Sequence, residues 1–214
     1  MQQPRRKFIS TVLVAGAALT ASHPVLAQVA GKDFIALSPS VPTDDASKVE
    51  VVEFFSYGCP HCSEFHPIIS AWVAKLPTDV TFKRIPITFG RPAWANIAKL
   101  FYTLEITGDL ARLDNEVFKA IHNDRANLFD EKGLFEWLGK RGVDVKKFAD
   151  TFNSFSVASM VKRGDQLAQG YKIQGVPALG VDGKYLVGDM SFNDKLSVTN
   201  KLISKARSEK PGKK

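Results

Sequence analysis

Cysteine is scarce in this sequence of 214 residues, which contains only Cys59 and Cys62. A disulfide between them would close a loop of four residues, and so short a loop constrains little of the unfolded chain. A structural zinc site needs three or four ligands, and there is no second cysteine pair to complete one, although His61 and His66 lie nearby. The scarcity excludes a disulfide scaffold, disfavours a metal site and indicates that the pair is kept for its reactivity.

Zinc-finger spacing and a glycine-rich phosphate loop are also absent from the sequence. The basic tail 205–214 is the one segment suited to nucleic acid or to an anionic membrane surface. Pro211 and Gly212 within it favour a disordered end that only aids solubility. We therefore expect no nucleic-acid partner.

The first 27 residues are predicted to be a secretory signal peptide. Arg5, Arg6 and Lys7 form a positive region, a mostly apolar stretch follows over 8–21, and residues 25–27 offer small or short side chains for cleavage after Ala27. The apolar stretch is short for a membrane span, but an uncleaved anchor and a twin-arginine signal are alternatives. Removal of the segment lowers the formal net charge from +7 to +4, because it takes away three basic residues and no acidic one.

A βαβ unit is predicted after the signal. The nearly continuous apolar run over 49–55 is typical of a strand covered on both faces. Residues 56–58 break that run, and Pro60 suits the first turn of a following helix, where a missing N–H costs nothing. A second strand is predicted over 80–87.

The rest of the chain predicts a long helical insertion followed by more strands. Apolar residues recur at helical spacing over 92–170, which indicates four or five short helices. A β-hairpin is predicted across Asp182 and Gly183, and a last helix over 192–206. We therefore predict an α/β thioredoxin fold with an inserted all-helical domain: residues 28–91 and 171–214 form a discontinuous thioredoxin-like domain, and residues 92–170 form the insertion.

The cysteine pair follows a strand and begins a helix, which is the setting of a thioredoxin-like redox motif. Unpaired N–H groups and the dipole at a helix N-terminus stabilise an anion, so we expect a lowered pKa for Cys59 and a reactive thiolate at neutral pH. Cys62 lies one turn further on and should be more buried. We predict that Cys59 is the exposed attacking sulfur and that Cys62 closes the disulfide.

The two residues between the cysteines are predicted to tune the redox equilibrium. A partly protonated His61 adds positive charge beside the sulfur of Cys59, and Pro60 stiffens the turn. Stabilising the Cys59 thiolate stabilises the reduced protein, so the oxidised protein becomes a stronger oxidant. We expect no cofactor and no metal beyond the redox-active disulfide Cys59–Cys62.

Val176 and Pro177 are predicted to bind substrate. In thioredoxin folds the loop that faces the active site carries a cis proline, whose uncommon bond usually has a purpose. Proline at this position leaves the backbone N–H and C=O of Val176 free to pair with an extended substrate chain.

Glu53 is unusual because it lies between apolar residues in the middle of a predicted strand. A buried carboxylate is costly unless it is paired or functional. We hypothesise that Glu53, together with Lys83 or Lys99, relays protons to Cys62. The alternative is a side chain at the strand edge that reaches water.

Two segments, Phe54–Cys62 and Gly175–Ala178, resemble the DsbA family of periplasmic thiol:disulfide interchange proteins. The likeness covers nearly the whole mature chain. The sequence Cys-Pro-His-Cys with valine before the proline is specific to that family, whereas thioredoxins carry Gly-Pro between the cysteines. Gly58 departs from the bulkier residue of some relatives, which affects the expected shape of the groove beside Cys59.

This resemblance implies a role as well as a fold. It implies that the protein donates its disulfide to unfolded exported proteins with free thiols in the periplasm. It also implies reoxidation by a DsbB-like inner-membrane protein linked to quinone, an apolar peptide groove beside Cys59, and a monomer.

Three other functions are compatible with a Cys-x-x-Cys motif. A periplasmic isomerase or reductase of the DsbC type needs an N-terminal dimerisation domain, and the roughly 30 residues between Ala27 and Cys59 are too few for one plus a strand. A peptide-binding chaperone would use the groove without redox chemistry. An isomerase similar to the kappa-class glutathione transferases would share the helical insertion but would not need Cys-Pro-His-Cys.

Overall fold

The computed structural model of the protein describes residues 31–210, so the predicted signal peptide lies outside the described residues. A mixed sheet of five strands has the order β1-β5-β4-β2-β3. Its strands are β1 Phe34–Ala36, β2 Val49–Phe55, β3 Val80–Pro86, β4 Ala178–Val181 and β5 Tyr185–Val187. The seven helices of the described residues are α1 Pro60–Val73, α2 Pro92–Thr107, α3 Leu110–His122, α4 Glu131–Gly139, α5 Val145–Phe152, α6 Phe155–Gly170 and α7 Phe192–Glu209.

The predicted βαβ unit is present as β2, α1 and β3, with β2 parallel to β3 and antiparallel to β4. All seven residues of β2 are buried. Side chains alternate across a strand, so Val51 packs in one core layer with residues of α1 and α7, while Val52 and Phe54 pack in a second layer with Tyr171 after α6. This two-sided covering explains the nearly continuous apolar run of β2.

Five helices, α2 to α6, lie between β3 and β4, as the helical spacing predicts. They share a core that also contains Phe55, Tyr57 and both cysteines. The insertion therefore packs directly against the end of β2 and the start of α1. The division at residues 92 and 170 stays a prediction, because α6 contacts β3 as well as α2.

The predicted hairpin joins β4 and β5 in antiparallel pairing. Asp182 and Gly183 both adopt positive φ, at 52° and 65°, as the tight turn requires. The sequence analysis missed β1, which pairs antiparallel with β5 through Phe34 and Val187. At three residues, β1 is too short for its alternation to be recognised.

The last helix extends further than predicted, to Glu209, so the expectation of a disordered tail from Lys205 was wrong for the described part of that tail. Arg207 forms an ion pair with Asp79, with 2.6 Å between Nε and Oδ2, and Lys210 forms one with Asp182 at 3.0 Å. These contacts fix the basic residues to the body of the protein.

Candidate active site

The two cysteines lie where β2 ends and α1 begins. Cys59 is the N-cap residue of α1, and Pro60 occupies the first turn. The backbone N–H of Cys59 donates to the carbonyl of Ser56 at 3.1 Å, and the carbonyl of Cys59 accepts from the N–H of Cys62 at 3.1 Å. Both cysteines are free thiols in this structure. The turn thus holds two sulfur atoms at the positive end of a helix.

The two sulfurs differ in exposure. Cys59 is 8% exposed and Cys62 is 1% exposed. The order is the predicted one, but the expectation of an exposed Cys59 was wrong, because the loop around Val176 covers it. The sulfur of Cys59 lies 3.4 Å from the carbonyl oxygen of Val176, to which the protonated thiol donates a hydrogen bond.

The environment separates the pKa values of the two thiols. A hydrogen bond from the Cys62 thiol lowers the pKa of Cys59 to about 6, with help from the backbone N–H groups of Cys62 and His61 and from the charge of His61. Burial and the neighbouring Cys59 sulfur raise the pKa of Cys62 far above its usual range. At neutral pH one thiol is therefore an anion and the other keeps its proton.

His61 points to solvent. Its side chain is 73% exposed, and its Nδ1 lies 3.2 Å from a carboxylate oxygen of Glu64. The charge of His61 contributes to the lowered pKa of Cys59, and the hydrogen bond from Cys62 lowers that pKa most.

The loop before β4 faces the cysteines. The bond between Val176 and Pro177 is cis, as the sequence predicts. The carbonyl oxygen of Pro177 accepts a hydrogen bond from the ammonium of Lys195, on α7, at 2.9 Å. The carbonyl of Val176 thus contacts Cys59, and the carbonyl of Pro177, the next residue, contacts Lys195.

An open groove of about 870 Å³ runs along this loop. Its walls combine apolar side chains with a few polar ones, among them His61 and Lys195 near the cysteines. The apolar lining includes Ile35, Val176, Pro177, Met190 and Phe192. A cleft of this volume with mostly apolar walls and a few polar groups is typical of a ligand-binding site.

Gly58 lies under side chains of the helical insertion. A Cβ added there would lie 3.1 Å from atoms of Trp94, Ile97 and Phe129. These side chains occupy the space that a bulkier residue would take. The lack of a side chain at Gly58 is therefore matched by side chains of α2 and of the loop before α4, which pack over it.

Glu53 is buried, at 1% exposure, so the alternative of a carboxylate that reaches water was wrong. Its partner is Arg84, with 2.9 Å between Nε and Oε2, and neither Lys83 nor Lys99 pairs with it. Lys83 instead pairs with Glu50 at 2.8 Å. Alternation along β3 explains this correction, because neighbouring residues of a strand point to opposite faces.

Lys99 is engaged elsewhere. It donates to the side chain of Asn153 at 3.2 Å, and its ammonium lies 4.0 Å from the ring centroid of Phe152. Both contacts are with the end of α5 and the residue after it. Lys99 is therefore a surface contact within the helical insertion.

Arg84 joins two carboxylates beneath the cysteines. Its Nη1 lies 2.7 Å from Asp114, on α3, which also accepts a hydrogen bond from the Tyr57 hydroxyl at 2.5 Å. His66 approaches Asp114 at 3.2 Å. We call these five residues (Glu53, Tyr57, His66, Arg84 and Asp114) the ionic cluster. It links β2, β3, α1 and the insertion.

Burial dominates the acid–base properties of the ionic cluster. Burial raises the pKa of Glu53. The charge of Arg84 lowers that pKa, and the charge of Asp114 raises it further. Burial, followed by the charge of Arg84, lowers the pKa of His66. Glu53 therefore combines a buried position near Cys62 with a raised affinity for a proton.

Sequence reasoning missed Tyr57, Arg84, Asp114 and Lys195. For Arg84 the register was the missing information, since it lies opposite Glu53 on the paired strand. Lys195 was detectable, because it lies four residues before the buried Thr199 and seven before Leu202, on the buried face of α7. The contact between Asp114 and Arg84 depends on tertiary packing and leaves no local signal.

Within residues 31–210, no group of three or more His, Cys, Asp or Glu side chains is arranged to hold a metal ion. None of the helices in that range is long and apolar enough to cross a membrane.

Comparison with known proteins gives consistent matches. A family model described as a DSBA-like thioredoxin domain matches residues 50–198. The thiol:disulfide interchange protein DsbA of Bordetella parapertussis is 38% identical over 204 residues, which cover 92% of this chain and 97% of that protein. DsbA of Pseudomonas aeruginosa PAO1 is 42% identical over 156 residues, which cover 73% of this chain and 74% of that one.

Solved structures agree with the sequence matches. The crystal structure of Pseudomonas aeruginosa DsbA superposes with a TM-score of 0.80 at 39% identity and covers 85% of this chain and 95% of that one. The oxidoreductase DsbA from Xylella fastidiosa gives 0.79 at 30% identity, covering 85% and 98%. The fold, the cysteine motif and these matches together place the chain in the DsbA family, as a thiol:disulfide oxidoreductase.

Proposed function

We propose that this oxidoreductase works as a dithiol oxidase, which donates the Cys59–Cys62 disulfide to newly exported proteins in the periplasm. The observation that carries the proposal is the separation of the two thiol pKa values, with that of Cys59 lowered to about 6. A stabilised Cys59 thiolate favours the reduced protein and makes the oxidised protein an electron acceptor.

The size of this effect follows from the pKa. The Cys59 pKa of about 6 lies about one unit below a working pH of 7. Ionisation of the thiol therefore stabilises the reduced protein by roughly 1.4 kcal/mol. For a two-electron couple this raises the potential by roughly 30 mV. The lowered pKa thus pushes the couple towards oxidation of substrates.

Donation proceeds by two exchanges at Cys59. A substrate thiolate attacks the sulfur of Cys59, a new S–S bond forms, and the old S–S bond breaks with its electron pair on Cys62. Cys62 then takes up a proton. A second substrate thiolate attacks the substrate sulfur of the mixed disulfide, which releases the oxidised substrate and leaves Cys59 as a thiolate.

Val176 and Pro177 are the proposed substrate-binding residues. The groove beside them supports this role, because its apolar walls meet the loop whose Val176 carbonyl lies 3.4 Å from the Cys59 sulfur. In the disulfide form Cys59 carries no proton, so the Val176 carbonyl is available to an extended peptide.

Glu53 is the proposed proton carrier for Cys62. Its burial near that thiol and its raised pKa support the role, and Arg84 replaces the lysines as its partner. The experiment is to measure the rate at which Cys62 resolves a mixed disulfide on Cys59, in Glu53→Gln and in the native protein, across pH 5–8. We expect this resolution to be slower in the variant, and an unchanged rate over that range would contradict the relay.

The remaining parts of the proposal concern the cellular setting. We propose export through the N-terminal segment 1–27, action as a monomer on unfolded proteins with free thiols, and reoxidation by a DsbB-like inner-membrane protein linked to quinone. No cofactor beyond the disulfide itself is required, since quinone belongs to the reoxidising partner.

A direct test is oxidation of a peptide that carries two cysteines, with the full chain and its Cys59→Ser variant. The native oxidised protein should oxidise the peptide stoichiometrically, and the variant should not oxidise it at all. If the variant retained the full effect of the native protein on the folding of a cysteine-containing substrate, the groove alone would be responsible and a chaperone function would replace the oxidase.

A further inference from the structure

Lys195 is a buried cation in the wall of the groove beside Pro177. The residue is 4% exposed, yet it lines the groove together with Pro177 and Asp189. Burying an ammonium group is costly unless it is paired, and long charged side chains usually keep their ends in water. A charge held in the wall of a cleft of ligand size is therefore placed to bind a group that enters the cleft.

Within residues 31–210, the contacts of the Lys195 ammonium use only part of its binding capacity. An ammonium group has three N–H donors. One of them donates to the carbonyl of Pro177 at 2.9 Å, which is a neutral acceptor. The nearest carboxylate oxygen, on Asp189, is 3.8 Å away, which is too far for a hydrogen bond, and that side chain is fully exposed. Because an exposed side chain comes this close, a carboxylate can approach the ammonium from solvent.

The charged side chains in the wall of the groove are mostly cationic. They are Asp189 and the cations Lys172, Lys195 and, when protonated, His61. Glu64 lies 3.2 Å from His61 and offsets its charge, while Asp194 accepts from the hydroxyl of Ser191 at 2.6 Å at the start of α7. Two lysines therefore face one carboxylate across the groove, which favours a ligand of negative charge.

The Lys195 ammonium lies within reach of a peptide held at Cys59. The Cys59 sulfur is 3.4 Å from the carbonyl oxygen of Val176, and the ammonium is 2.9 Å from that of Pro177, the next residue. An extended chain advances by roughly 3.3 Å per residue, so the path through these two carbonyls spans about three residues of a bound peptide. A substrate with its cysteine at Cys59 therefore brings a nearby side chain to Lys195.

We propose that Lys195 is a specificity-determining residue, whose ammonium binds an aspartate or glutamate of the substrate that lies within about three residues of the reactive cysteine. This inference rests on the oxidase function proposed above and names the class of substrate that the oxidised protein prefers. That class is an unfolded segment with apolar side chains for the walls of the groove and one carboxylate for Lys195. The hydrogen bond to Pro177 holds the ammonium in place for this contact.

The test uses two peptides of equal length, each with two cysteines. One carries glutamate two residues before and two residues after its first cysteine, and the other carries glutamine at both positions. Oxidised glutathione regenerates the protein disulfide, and kcat/KM is measured for each peptide. A nearby glutamate also changes the reactivity of the peptide thiol, but this effect is the same for every protein variant. The quantity compared is therefore the ratio of kcat/KM for the glutamate peptide to that for the glutamine peptide.

Removal of the Lys195 charge should lower this ratio. Ion pairs near a protein surface contribute modestly, so we expect the ratio of the native protein to be about threefold higher than that of Lys195→Met or Lys195→Gln. Glutamine keeps a neutral donor for Pro177, so the same fall in both variants assigns the effect to the charge and not to the loop. Lys146→Met is the matched control, because it removes one positive charge from a side chain that is 90% exposed in the helical insertion. Its ratio should equal that of the native protein.

Asp189→Asn gives an effect of the opposite sign. The Asp189 carboxylate competes with the substrate for the ammonium, so its removal should raise the ratio above the native value. Exposed substitutions of this kind change stability little, so Asp189→Asn tests the proposal even where the Lys195 variants fold poorly.

Binding of the same two peptides with serine in place of both cysteines, measured by fluorescence anisotropy, does not depend on redox chemistry. The native protein should bind the glutamate form about threefold more tightly at low salt. Equal affinities of the native protein for the two serine peptides, or equal kcat/KM ratios in the native protein, Lys195→Met and Asp189→Asn, would overturn the role of Lys195. A failure of the oxidase function is distinguishable, because the native oxidised protein would then oxidise neither peptide while the serine peptides still report on Lys195.

Discussion

The cysteine pair lies between two regions of opposite character. Behind it, the ionic cluster packs charged groups between β2, β3 and α3, where Glu53 is 1% exposed and Arg84 lies 4.0 Å from the ring centroid of Phe55. In front of it, the groove beside Pro177 is open and largely apolar. Buried charges make the first region dependent on complete pairing, whereas the second presents apolar surface to water and to ligands.

This contrast assigns different consequences to changes on the two sides. Loss of one member of the ionic cluster leaves an unpaired charge away from water, so the effect should fall on stability. Loss of an apolar side chain at the groove surface removes little buried area, so the effect should fall on substrate binding.

The largest expected effect is that of Arg84→Met. The change removes the shared partner of Glu53 and Asp114, which lie 2.9 and 2.7 Å from the guanidinium. We expect the free energy of unfolding to fall by about 3–5 kcal/mol, measured by urea denaturation. The control is Arg163→Met, because the side chain of Arg163 is 83% exposed and its nearest carboxylate oxygen, on Asp44, is 3.8 Å away. Equal stabilities of the two variants would show that the cluster does not support the fold.

A smaller effect is expected from pH on the reduced protein. The pKa of Cys59 is about 6 in the folded protein against 9.0 for an unperturbed thiol, so the folded state holds fewer protons between these values. The stabilisation is complete above pH 9 and is lost as the pH falls through 6. Between pH 7 and pH 5 the free energy of unfolding of the reduced protein should fall by about 1.4 kcal/mol relative to the oxidised protein.

Calorimetric or urea unfolding of both redox forms at pH 5, 6 and 7 measures this difference. The oxidised form is the reference, because Cys59 has no proton to exchange there. A reduced-minus-oxidised difference that stays constant over the range would show that the Cys59 pKa is not lowered.

The smallest effect on stability is expected from Ile35→Ser at the groove. Ile35 is 48% exposed and lines the groove, whereas Ile106 is 49% exposed and lies in the helical insertion, so Ile106→Ser is a matched control. Both variants should lose less than about 1 kcal/mol of stability. With oxidised glutathione present to regenerate the disulfide, only Ile35→Ser should raise the KM for a two-cysteine peptide, by about threefold, with kcat unchanged. The same KM in both variants would place substrate binding outside the groove.

The sequence predicted most of the architecture because its signals are local. The break after β2, proline at the start of α1 and the Asp182–Gly183 turn each specify an element through nearby residues. The thioredoxin-like fold and the membership of the DsbA family are confirmed by the comparisons. The element ends were less predictable, and α7 exceeds its predicted length through ion pairs with distant segments.

The site was predictable only in its sulfur chemistry. Cys59, Cys62 and Pro177 were identifiable because a motif or a turn signals them. The environment that sets their pKa values comes from residues far apart in the chain: Arg84 reaches Glu53 through strand register, and Lys195 reaches Pro177 through the packing of α7. The prediction of Lys83 or Lys99 as the partner of Glu53 was wrong for the same reason, because the register between two strands cannot be read from the sequence of one strand alone.

The central claim is that the environment of Cys59 makes the oxidised protein a disulfide donor. Equilibration of the Cys59–Cys62 couple with reduced and oxidised glutathione, with thiol content measured after acid quenching, gives its potential directly. We predict a potential well above about −270 mV, the value of thioredoxin, a reductant. A potential at or below that value would contradict the account and would indicate a reductase instead.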